Sequence, residues 1–181
     1  QVINQTMEVD IPQYANMNAS TGRKLKKLLT VIAQSVPFKP VMDSPSVVLS
    51  VSRTVLPDYF MYMEQAGMIG QLRNDTGGIR GIGKVEKVYL DNTNIAYVMG
   101  GNATDVGNLR ETFFYNQMRV TSDVISSSIS DFEIDGKTFE VGGKKKSKKQ
   151  IAMAKEGYVV RDDIESGSDN IIPLWAFGLT Y

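Results

Sequence analysis

The sequence contains no cysteine and no histidine, and only one tryptophan. Those absences exclude disulfides, thiolate nucleophiles, Cys/His zinc sites, Ser-His-Asp triads and imidazole acid–base chemistry. Any catalysis must draw on carboxylates, lysines, hydroxyls or a hard cation such as Mg²⁺, which prefers oxygen ligands. No apolar run approaches the roughly 18 residues of a membrane-spanning helix. No charged-then-apolar signal segment opens the chain, and Gln1 is not an initiator residue. The expectation is a fragment or processed product, cytoplasmic and without a membrane partner. The formal net charge is +0, which argues against a large nucleic-acid footprint. One local exception is the lysine run at Lys144, Lys145, Lys146, Lys148 and Lys149.

What is present suffices for one compact domain or two small ones: 181 residues, 42% of them hydrophobic. Residues 20–35 place Leu25, Leu28, Leu29 and Ile32 at helical spacing, with Ser20 or Thr21 as candidate caps. Pro37 and Pro40 end that helix, and a short, weak helix is expected around Pro45–Leu49. A second apolar stripe, Leu56, Tyr59, Phe60, Met63 and Ala66, predicts a helix stopped by Gly67, with Ser52 as a candidate cap. Pro57 belongs in its first turn, which puts the start near Leu56. The runs MIGQL and KVEKVYL then read as strands around a glycine-rich turn. Helix, short helix, helix and hairpin is the order of a winged helix-turn-helix. We place a boundary near Asp91–Asn94, so that residues 1–91 form a winged-helix module with an N-terminal linker and 92–181 a second domain. In the latter, a short helix broken at Gly100–Gly101 precedes a longer one over 107–124, with Leu109, Phe113, Tyr115 or Asn116 and Met118 facing inward. The clearest local signal is SDFEIDGKTFEV, where Asp135-Gly136 suits a two-residue type I′ turn between alternating strands. YVVRDD and NIIPLWAFGLTY supply further strand cores.

Four features bear on chemistry. The segment from Gly78 to Val85 nearly spells a Walker A motif, but Val85 stands where Ser/Thr would hold Mg²⁺, and a strand follows instead of a helix. A hairpin wing is the simpler reading. In the acidic hairpin, a two-residue turn pairs Ile134 with Lys137, Phe132 with Phe139 and Asp131 with Glu140. Like charges directly opposed are unfavourable in a purely structural hairpin but reasonable around a divalent cation; equally, both side chains could splay into water. Glu111, on the preceding helix, reads alone as a surface residue. The lysine run reads either as a solvated loop or as a phosphate-contacting patch beside the acidic pair. The helix over 52–66 offers Arg53, Asp58, Glu64 and Gln65, a thin set for base reading.

The segments ETFFYNQMRV, SDFEIDGKTFEVGGKKK, GYVVRDDIESG and NIIPLWAFGLTY resemble the C-terminal region of prokaryotic AAA-type ATPases that end in a domain of unknown function related to PD-(D/E)xK nucleases. KLKKLLTVIAQSVPFKP, SRTVLPDYFMYMEQAGMI and KVEKVYLDNTNI are similar to the winged-helix part of the same proteins. The resemblance implies an α/β chain, a winged helix followed by a small nuclease-like mixed sheet, with the ATP-binding P-loop domain lying outside this sequence. It implies Glu111 as the acidic residue of the first helix, Asp131 as the motif aspartate and Glu140 as the acid of the E-x-K step, with Asp131 and Glu140 the ligands of a Mg²⁺ cofactor. At the lysine position stands Gly142. Lys144 would replace it if alternation continued past the two glycines; otherwise cleavage is lost, and loss is the favoured outcome. Three functions stay open. The first is a regulatory or docking region whose partners are its own ATPase domain, a protein or nucleic acid. The second is a Mg²⁺-dependent nuclease with Glu111, Asp131, Glu140 and Lys144 at its centre. The third is a DNA-binding module using Arg73, Arg80 and Lys84 of the wing with Lys145, Lys146 and Lys148 of the run.

Overall fold

A computed structural model describes residues 1–35, 37–40, 50, 52–75, 83–101 and 104–179. The expected short helix at 45–49 and most of the glycine-rich turn, Arg80 included, lie outside the described residues. The chain is mixed α/β and divides into two compact units. The first comprises Gln1–Gln71 and Val88–Thr104, the second Leu72–Lys87 and Asp105–Tyr181. A division by compactness therefore falls elsewhere than Asp91: the chain leaves the first unit and returns to it between Gln71 and Val88.

In the first unit, the segment expected to be a linker is helical: α1 (Val2–Gln5), a π-helical stretch (Thr6–Asp10) and α2 (Ile11–Tyr14). Sequence periodicity missed it because only Met7, Ile11 and Pro12 are buried. It packs against α3 (Ala19–Gln34) so closely at Gly22 that a β-carbon there would stand 2.8 Å from the Glu8 Cα. Helix α3 buries Leu25, Leu28, Leu29, Ile32 and Ala33. Its cap is Asn18, whose Oδ1 accepts the Thr21 N–H at 3.0 Å, and not Ser20 or Thr21. Helix α4 (Leu56–Gln65) carries Pro57 in its first turn and buries Leu56, Tyr59, Phe60 and Met63. Ser52 lies one turn before its start and accepts from the Thr54 N–H, so it does not cap the helix. Gly67, at φ +66°, ends α4 with the paired bonds Gly67 N–H to Glu64 C=O and Met68 N–H to Met63 C=O. Helix α5 (Thr93–Gly100), capped by Asn92, packs on α3. Strands β1 (Ile69–Arg73) and β2 (Val85–Leu90) form a two-stranded sheet.

The second unit is built on a five-stranded sheet in the order β3-β4-β5-β6-β7, from Ile125–Ser126, Phe132–Ile134, Lys137–Gly142, Gly157–Arg161 and Ile171–Pro173. The pairs β3-β4 and β4-β5 are antiparallel, while β5-β6 and β6-β7 are parallel. Asp135 and Gly136 have φ +50° and +77°, the two positive values a type I′ turn requires. The register follows: Ile134 opposes Lys137 and Phe132 opposes Phe139. Helix α6 (Val106–Met118), capped by Asp105, lies against β5 and inserts Phe114 among Phe132, Phe139 and Phe177, with ring centroids 4.8–5.4 Å apart. Phe114, with Thr112 and Tyr115, is the buried face of this helix; the inward set expected from spacing shares only Tyr115 with it. After β7 the chain turns into a 3₁₀ segment (Leu174–Leu179) in place of a continuing strand. Among the described residues, no helix is long and apolar enough to cross a membrane.

Candidate functional site

Three carboxylates and two lysines converge within the second unit. Asp131 stands one residue ahead of β4, and its Oδ2 accepts the Val141 N–H at 3.0 Å. That bond ties the start of one hairpin strand to the end of the other. Glu140, on central strand β5, is fully buried. The Ser130 hydroxyl is within reach of its Oε2 and of the Phe139 carbonyl. Oε1 takes no well-aligned hydrogen bond and lies in ion-pair contact with the Lys146 ammonium. Glu111, on α6, is reached from β2 by Lys87, whose Nζ stands 3.3 Å from Glu111 Oε2 and 3.5 Å from Asp131 Oδ1. The same ammonium lies 5.9 Å from the centre of the Phe132 ring. The side chains of Lys87, Glu111 and Asp131 are 20%, 18% and 14% exposed, so this double pairing is screened less than a surface salt bridge.

The lysine that meets Glu140 is Lys146, whereas Lys144, the expected replacement, is exposed. Alternation beyond β5 fails because the strand ends at Gly142 and the chain turns, with Lys146 N–H bonding Gly143 C=O at 2.9 Å. Arg161 fixes the turn by donating Nε and Nη2 to the Lys146 carbonyl at 3.0 and 2.7 Å. Burial on its own would lower the Lys146 pKa; the pairing with Glu140 and the charges of Asp131 and Glu111 outweigh it and hold the amine above its usual value.

A neighbouring ion pair explains the Asp162-Asp163 motif. Arg110, beside Glu111 on α6, donates to Asp162 at 2.9 Å and to Asp163 at 3.2 Å. A β-carbon at residue 143 would stand 3.2 Å from the Arg110 guanidinium, which favours glycine there. The pairing anchors α6, and with it Glu111, to the end of β6. The remaining basic candidates lie elsewhere: Lys145 and Lys148 are exposed, Lys84 pairs with Glu86 at 3.5 Å, and Arg73 donates to the Gly83 carbonyl at 3.2 Å.

A divalent ion does not fit this arrangement of side chains. The space between Glu111 and Asp131 holds the Lys87 ammonium, and both Glu140 oxygens face protein groups. Among the described residues, no group of three or more acidic side chains is placed to hold a metal. Reading the sequence missed Lys87, which meets its partners across 24 and 44 residues of chain, and Arg161, whose target is a backbone carbonyl. Neither carries a local signal. Comparison with family models, curated proteins and solved structures found no match to this chain.

Proposed function

We propose that this chain is the C-terminal regulatory or docking region of a prokaryotic AAA-type ATPase, a winged-helix module joined to a nuclease-like unit without cleavage of its own. The fold reading is supported by element order. Among the described residues, α3 and α4 are the last two helices before the β1-β2 pair, the order of a winged helix. In the second unit, a helix bearing an acid is followed by three strands, a 3₁₀ turn (Gln150–Met153) and a strand parallel to β5. The acids fall on the first helix, ahead of β4 and on β5, the places a PD-(D/E)xK site would give them.

One observation carries the functional reading: Lys87 spans Glu111 and Asp131 at 3.3 and 3.5 Å. A fixed ammonium supplies the positive charge that a metal would otherwise bring, but it cannot act as a Lewis acid or carry a water for attack. The exposed Lys144, Lys145 and Lys148 give the unit a basic edge suited to docking an acidic protein surface or a nucleic-acid backbone. The partner in the first instance is the ATPase domain of the same protein.

The test is Mn²⁺ binding followed by electron paramagnetic resonance, with nicking of supercoiled plasmid read in parallel. The wild-type chain is expected to show neither. K87M, which removes the ammonium and keeps most of the stem, is expected to bind Mn²⁺ through Asp131. Metal-dependent nicking by the wild-type chain, abolished in E140Q, would overturn the docking reading in favour of a Mg²⁺-dependent phosphodiesterase. That second reading draws on one feature, the Lys146 amine at Glu140.

A further inference from the structure

The lysine missing from position 142 and the lysine present at Glu140 occupy one space. A β-carbon built on Gly142 would lie 2.5, 2.8 and 3.0 Å from Cδ, Cγ and Cβ of Lys146. No side chain at 142 fits without moving that stem. The Lys146 stem thus runs over the Gly142 backbone and carries its ammonium to the buried Glu140 carboxylate. Three further contacts hold the path. The Gly143 carbonyl accepts the Lys146 N–H, the Gly142 carbonyl accepts the Asp162 N–H at 2.9 Å, and Arg161 clamps the Lys146 carbonyl with two N–H groups. A solvated loop lysine would need none of this.

We propose that Lys146 is the lysine of this site, a positioning residue delivered to Glu140 through the opening that glycine at 142 provides, so that the two residues together replace a lysine at 142. The assignment deepens the reading above and rests on it at one point, that 142 is the motif's lysine position. The space shared by Gly142 and Lys146 does not depend on whether the site binds metal.

The pairing makes glycine at 142 a requirement only while Lys146 is present. It also gives Lys146 a charge role, since its amine pairs with the fully buried Glu140 carboxylate.

Urea unfolding of the full chain tests this, because the single tryptophan, Trp175, lies in the second unit and reports on it. G142A is expected to lower the midpoint clearly in the wild-type background and by less than half as much in a K146G background. K146M is expected to lower the midpoint, whereas K144M is expected to leave it unchanged. In G142K/K146G, a lysine supplied from the motif position is expected to recover part of the K146G loss. Equal effects of G142A in the two backgrounds would overturn the proposal, as would a K144M loss matching that of K146M. Should K146M fail to fold, the G142A comparison with a K146R background remains. In K146R the longer guanidinium stem should make G142A cost at least as much as in wild type; a smaller cost would count against the shared space.

Discussion

At the scale of single residues, the site is governed by the cost of keeping Glu140 ionised without water. A carboxylate with no exposure is tolerated only where charge and donors replace its hydration, and here these are Lys146 and Ser130. Removing one partner of a fully buried pair costs about 3–5 kcal/mol. The Lys146 side chain is 31% exposed, so solvent compensates in part, and K146M should destabilise the second unit by about 2 kcal/mol. R161A should cost about 1–2 kcal/mol through its two lost bonds to the Lys146 carbonyl. Because both changes act on the same lysine, their effects should fall short of additive. Urea titrations of the two single variants and the double variant followed at Trp175 provide the check, and strict additivity would mean that Arg161 does not act through Lys146.

At the scale of elements, what could be read in advance was what local chemistry determines. Asp135-Gly136 permits two successive positive φ values, so turn type and the register of Ile134 with Lys137 and Phe132 with Phe139 followed from a dipeptide. The stop of α4 at Gly67 was equally local. The path of the lysine was not, because the Gly142-Gly143 break ends the alternation on which Lys144 was chosen. Lys87 was still less legible: a lysine in a half-buried strand has no pattern that names partners on a distant helix and hairpin. Helix α6 shows the same limit, its buried face being Thr112, Phe114 and Tyr115, a set with weak periodicity. The local devices carry their own prediction. Gly67→Ala forces a β-carbon into φ +66° and should cost about 1 kcal/mol, whereas Gly22→Ala meets the Glu8 backbone at 2.8 Å and should cost more. Circular dichroism melts of the two variants would rank them, and a Gly22→Ala chain as stable as wild type would show that the π-helical stretch does not pack on α3 as described.

At the scale of the whole molecule, the two units are not consecutive stretches of chain. Leu72–Lys87 belongs with Asp105–Tyr181, so residues far from the five-stranded sheet in sequence are part of its unit. A boundary drawn at Asp91 from element order separates Glu111 and Asp131 from Lys87, the cation that pairs with both. The physical consequence is a local charge imbalance. Without Lys87, Glu111 and Asp131 lose the ammonium they share, and like charges at close range raise the free energy of the folded state. A fragment of residues 92–181 should therefore unfold at a lower urea concentration than the same unit within the full chain, with Trp175 as the common reporter. The penalty should shrink in a fragment carrying Asp131→Asn, which removes one of the two charges that Lys87 would have met. A fragment with the full-chain midpoint at neutral pH would show that Lys87 contributes nothing to holding the cluster together, and the docking reading would lose the observation on which it stands.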